Sequence, residues 1–115
     1  MTDLAYKLVD RAEYEAADGF YSGSAVDRAD GYIHMSTAGQ LAETAARHFR
    51  GRDDLLLVAV HLPDLEDLRW EPSRGGALFP HLFGPLPKAA ALWERSLSVD
   101  ADGIMRFDDG ATGWP

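Results

Sequence analysis

Leu55-Leu56-Leu57-Val58-Ala59-Val60-His61-Leu62 is a nearly unbroken apolar run with two valines at its middle. A strand wetted on one face alternates apolar and polar residues, whereas a continuous apolar run fits a strand covered on both faces. This stretch is therefore read as the central strand and the best core candidate.

Upstream, Leu4 to Val9 reads as a first strand, and Asp10 is placed to cap a short helix through Arg11, Glu13, Ala16 and Ala17 that Gly19 would end. Ser22 to Ser24 and Asp27 to Gly31 are rich in turn formers and suit a surface loop. Tyr32 to Ser36 reads as a second strand. Its alternation puts Ile33 and Met35 on one face and Tyr32, His34 and Ser36 on the other. Thr37 with Gln40 is a capping-box pattern, and Leu41, Ala45 and Phe49 then share one face of a helix that Gly51 stops.

Downstream, Leu68 to Glu71 is a short segment before Pro72-Ser73-Arg74-Gly75-Gly76, a loop that regular structure does not easily span. Phe79 to Pro87 carries prolines at positions 80, 85 and 87. Alanines favour helix in Ala89 to Val99, but the Leu92, Glu94, Ser96 alternation favours strand, and strand is the reading adopted. Asp100 to Gly103 forms a hairpin turn into Ile104 to Phe107, and residues 108–115 are expected as a loose tail.

A chain of 115 residues with 46% hydrophobic composition fits a single domain, residues 1–115, burying about two-thirds of its unfolded surface. Without cysteine there is no disulfide or thiolate nucleophile, and a metal would have to use His, Asp and Glu. No segment has the apolar length of a signal peptide or membrane span, so a cytoplasmic location is expected, without membrane association. The net charge of −8 repels phosphate backbones and makes nucleic acid an unfavourable primary partner. Oligomeric state stays open.

The chemistry-bearing candidates centre on histidines. HExxH, GxSxG, GxxxxGK[ST] and GxGxxG patterns are all absent, and none of the four histidines has zinc-type spacing. His34 precedes a helix whose first N–H groups would point toward anything held near Ser36 and Thr37, a geometry suited to an anion or pyrophosphate. The plainer alternative is that His34 braces a neighbouring strand while Thr37 only caps. His81 sits between Pro80 and Gly84 on a proline-rich segment, as site residues and rigid turns both do. His61 reads as a strand end and His48 as a helix C-terminal residue; Trp70 reads as core. Glu71 and Arg69 leave their strand on one face, either as a surface ion pair or toward a ligand. In Arg74-Gly75-Gly76 the glycines permit close backbone approach and the arginine favours phosphate or carboxylate.

Tyr6-Lys7, Asp30 to Ala38, Leu68 to Glu71 and Gly76 to Pro87 together resemble the domain of unknown function 952 family across nearly the whole chain. Met35 and Phe83 stand where Leu and Tyr are more usual in that family. The family is similar to the ADP-ribosyltransferase fold group, which implies a compact α+β domain of split antiparallel sheets with two main helices and a cleft for NAD. By this resemblance Tyr6 and Lys7 border NAD on the first strand, and His34 to Thr37 lie beneath its ribose. The Phe79 to Gly84 segment stands where a catalytic glutamate is often supplied and here offers His81, so Glu71 would have to stabilise the oxocarbenium-like ribose. The expected set is thus His34, His81 and Glu71 as catalytic residues, with Tyr6, Lys7, Ser36, Thr37 and Arg74 binding NAD as substrate and no metal. A non-catalytic interaction module and a metal-dependent hydrolase stand beside it as alternatives.

Overall fold

The computed structural model describes residues 2–114, apart from the side chain of Arg74. The chain runs β1 (Leu4–Asp10), α1 (Arg11–Ala16), β2 (Phe20–Tyr21), α2 (Ala25–Asp30), β3 (Ile33–His34), α3 (Ala38–His48) and β4 (Leu55–His61). It continues with β5 (Leu68–Ser73), β6 (Ala77–Leu82), β7 (Leu86–Pro87), β8 (Ala91–Val99) and β9 (Met105–Phe107). The result is α+β, with antiparallel sheets in the orders β1-β4-β8-β9, β2-β7 and β3-β6-β5.

β4 lies between β1 and β8, and its side chains divide by parity between two cores. Leu56, Val58 and Val60 pack with Ile33, Met35 and Leu82, while Leu55 and Leu57 pack with Leu41, Ala45 and Leu97 of α3 and β8. This two-sided cover is why the run carries no polar alternation, and burying each such side chain contributes about 1.5–3 kcal/mol. β1 follows the same rule: Ala5, Lys7 and Val9 face the first core, and Tyr6 and Leu8 the second.

The β3-β6-β5 sheet is fastened to β1 at one point. Tyr6 and Ser36 exchange both backbone bonds, 2.8 and 2.9 Å, after which the chain turns away into α3. Beyond that bridge the outer edge of β1 has no partner strand among the described residues. A cleft opens along it, floored by β1 and walled by α2 and α3.

Several local readings need correction. Asp27 to Gly31, expected as loop, falls largely in α2: Ser24 Oγ accepts from the Asp27 backbone N–H, and Asp27 Oδ2 accepts from that of Ser24. Among the described residues there are accordingly three α-helices where two main ones were expected. α1 ends at Ala16, before Gly19, where Lys88 Nζ donates to the carbonyls of Tyr14 and Ala17 at 2.9 Å each. β5 runs on through Pro72 and Ser73, which an edge strand tolerates, and a tight turn through Gly75 leads into β6. Residues 108–114, offered by the sequence as a tail, double back instead of trailing away. Thr112 bridges Arg106, and Trp114 packs on the second core with Nε1 donating to the Ala38 carbonyl at 2.9 Å. Among the described residues no helix is long and apolar enough to cross a membrane.

Candidate functional site

β3 and β6 pair in a register that sets His34 directly opposite His81. Opposed residues of an antiparallel ladder share a face, so the two imidazoles are brought together across the strands. Their ring centroids are 5.6 Å apart, and the Tyr32 ring packs against both, at 4.6 Å from His34 and 4.1 Å from His81. Burial, reinforced by the charges of Asp30, Glu71 and Asp27, raises the pKa of the Tyr32 hydroxyl. Tyr32, His34 and His81 all line the cleft, whose volume is about 730 Å³.

Each imidazole is held by a carboxylate. His34 Nδ1 lies 2.6 Å from Asp27 Oδ1, and its Nε2 lies 2.9 Å from Asp30 Oδ2. His81 is buried, and its Nδ1 lies 2.8 Å from Glu71 Oε1. Among the described residues nothing bonds His81 Nε2. An ionised carboxylate only accepts, so Glu71 places the proton on Nδ1, and in the neutral ring Nε2 then carries the lone pair.

Asp27 is the hub of the site. Only 2% exposed, it accepts from His34 Nδ1, from Lys7 Nζ at 3.0 Å, and from the backbone N–H groups of Ser24 and His34 at 2.9 and 3.1 Å. Burial opposes its ionisation, but the His34 bond, the Lys7 charge and the two backbone donors outweigh it and hold the carboxyl well below the usual range. Lys7 has less support: burial pulls its pKa below that of a free lysine, with Asp27 alone opposing.

The remaining candidates separate on inspection. Ser36 is buried and lines the cleft, its Oγ 2.8 Å from Thr44 Oγ1. Thr37 stands outside the lining, and its backbone N–H donates to Gln40 Oε1 at 3.0 Å as part of the α3 capping box. Tyr6 lines the cleft while its ring packs on Trp114 and Trp93. Glu71 is behind His81, outside the lining, and reaches the cleft only through that ring. Arg69 stacks its guanidinium 4.6 Å over Phe83 rather than pairing with Glu71. The Arg74 side chain lies outside what the structure describes. His61 pairs with Asp64 at 3.1 Å, at the end of β4. Among the described residues no group of three or more His, Asp and Glu is gathered to hold a metal ion.

Asp27, Asp30 and Thr44 are site residues that the sequence reading missed. The available signal was Ser24-x-x-Asp27, a capping-box pattern like the one recognised at Thr37.

The family model described as Protein of unknown function (DUF952) matches residues 8–94. The chain belongs to that family. The DUF952 match includes Asp27, Asp30, His34, Glu71 and His81, whereas Tyr6 and Lys7 fall just before it. Protein CC0527 from Caulobacter crescentus has the same fold. Its X-ray structure is 52% identical, with a TM-score of 0.84 over 90% of this chain and 93% of that one. Its solution NMR structure gives a TM-score of 0.76 over 89% of this chain and 90% of that one, again at 52% identity. No curated protein matches the chain.

Proposed function

We propose that the cleft binds a nucleotide-like molecule, NAD or a close relative, and that the domain is an ADP-ribosyltransferase or NAD-glycohydrolase relative of the corresponding fold group. The observation that carries this reading is the pair of carboxylate-held imidazoles facing each other in one cleft, His34 on Asp27 and His81 on Glu71. A histidine whose Nδ1–H is fixed by a carboxylate presents Nε2 as a base of defined direction, the arrangement that acid–base catalysis requires. His81 Nε2 would take the proton of an attacking water or hydroxyl as the glycosidic bond to nicotinamide breaks. Glu71 acts through His81, supporting the imidazolium that results. Asp30 beside His34 favours positive charge developing on the ribose, whereas the Asp27 charge is already met by Lys7.

A thermal-shift titration with NAD and ADP-ribose tests the reading, because a ligand of the native state raises the melting temperature by mass action. We expect a saturable rise in the wild type, kept in His81→Ala while release of nicotinamide from NAD is lost. No rise at millimolar NAD or ADP-ribose would remove the nucleotide reading.

One feature favours a second reading, a non-catalytic interaction module. Both ring nitrogens of His34 are already engaged by carboxylates, as befits a brace. Under that reading His81→Ala costs about 1 kcal/mol, the worth of its hydrogen bond, and no small molecule binds.

A further inference from the structure

The cleft extends well past the histidine pair. It follows β1 from Lys7, beside Asp27 and His34, to Asp10, and its far end is lined by Arg47, Phe49 and Arg52 of the α3 C-terminus and the loop after it. Asp10 pairs with Leu55 in the β1-β4 ladder, and Arg52 is three residues before Leu55. Lys7 and Asp10 are three residues apart, which at strand rise is about 10 Å.

The arginines of this acidic chain are mostly committed. Arg11 pairs with Asp54, Arg95 with Asp109 and Arg106 with Asp100, while Arg28 and Arg50 donate to the carbonyls of Gly23 and Ala46. Among the described residues Arg52 has no side-chain acceptor: its guanidinium rests 5.1 Å from the Phe49 ring centroid. Arg47 makes a 3.6 Å contact to Glu43. Arg47 as a last-turn cation complements the α3 dipole, but Arg52 is beyond the helix and that role does not account for it. Asp10 and Glu13 line the opposite wall, and the Asp10 carboxylate is turned onto the Glu13 backbone N–H at 3.0 Å, capping α1. An exposed guanidinium with no side-chain acceptor among the described residues, in a chain holding 19 acidic against 11 basic residues, is suited to a bidentate oxyanion from outside.

We infer that the cleft takes an elongated ligand whose phosphate group docks on Arg52, assisted by Arg47, toward the Asp10 end of β1 and away from the end where the reacting group meets His34 and His81. This rests on the nucleotide reading for its far end, but the anchor itself can be tested separately.

The experiment is an NMR titration of the isotope-labelled chain with inorganic pyrophosphate and, in parallel, with NAD. Pyrophosphate should give saturable shifts at the Arg52 side chain and around residues 47–52, and Arg52→Gln should weaken it about three- to tenfold. Arg69→Gln removes the same charge from an arginine that is outside the cleft lining and stacks on Phe83, and should leave the affinity unchanged. Absence of saturable shifts, or equal weakening by the two variants, would overturn the anchor. If pyrophosphate binds as expected but NAD leaves His34 and His81 unmoved, the anchor stands and the nucleotide reading falls. If NAD moves both histidines with undiminished affinity in Arg52→Gln, the reading stands and the anchor falls.

Discussion

Asp27 Oδ1 lies 2.6 Å from His34 Nδ1, and through the same carboxylate His34 is tied to the buried ammonium of Lys7. Three elements thereby meet on one side chain: Lys7 comes from β1, Asp27 from α2 and His34 from β3. Removing the carboxylate charge leaves a desolvated cation with no other carboxylate to pair it among the described residues. Asp27→Asn should therefore cost about 3–5 kcal/mol in urea unfolding. Adding Lys7→Met should restore much of that, because the orphaned charge is gone. A loss below about 1 kcal/mol in the single variant would mean that water satisfies Lys7 and that Asp27 is no hub.

The same carboxylate sets an acid limb of stability. Asp27 titrates in the folded chain well below the ~3.9 of a free aspartate. Its contribution is thus fully present above about pH 5 and is lost as pH falls, since the unfolded chain takes up its proton first. Asp100 and Asp109, lowered chiefly by backbone hydrogen bonds from Ile104 and Ala111, act in the same direction. Wild type should therefore lose stability below pH 5 more steeply than the foldable Lys7→Met, Asp27→Asn variant. Parallel acid limbs in the two proteins would dismiss this assignment.

How far the sequence disclosed all this depends on which relationships are local. β4 was legible because two-sided burial leaves its mark on consecutive residues, and the alternation of Tyr32 to Ser36 placed His34 and Ser36 together on the face away from Ile33 and Met35. That His34 faces His81 was not legible, since it depends on the register between strands 47 residues apart in sequence. Asp27 was lost to a compositional habit: turn-forming residues around it suggested loop, while its capping bond with Ser24 makes it helical and its other donors arrive from distant strands. Glu71 was singled out on its strand parity, but its place behind His81 follows from the diagonal across the β5-β6 ladder, where Arg69 rather than Glu71 is opposite His81.

That diagonal contact fixes a tautomer. With Glu71 accepting from Nδ1–H, the neutral form of His81 should carry its proton on Nδ1, and Glu71→Ala should release the ring to the commoner Nε2–H form. Nitrogen chemical shifts of the labelled imidazole read this directly. Wild-type His81 found as the Nε2–H tautomer would break the argument that Nε2 is the basic atom facing the cleft. The Glu71→Ala variant should stay folded, losing about 1 kcal/mol for one part-exposed hydrogen bond.

Two glycines allow the packing around Asp27 to be tested without touching its charge. Gly23 and Gly31 both have left-handed backbone, φ 99° and 87°, where an L side chain is strained by about 1–2 kcal/mol. At Gly31 an added methyl would meet nothing within 4 Å, so Gly31→Ala should cost that strain alone. At Gly23 it would sit 2.7 Å from Asp27 Cβ and 3.3 Å from Ile33 Cγ1, so either Asp27 or the turn before α2 must move. Gly23→Ala should accordingly cost about 1–3 kcal/mol more than Gly31→Ala by urea unfolding. It should also disturb the His34 ring resonances, which Gly31→Ala leaves in place. Equal costs, with His34 unmoved in both variants, would mean that the Asp27 carboxylate is not held rigidly against the Gly23 turn and that its grip on His34 has another origin.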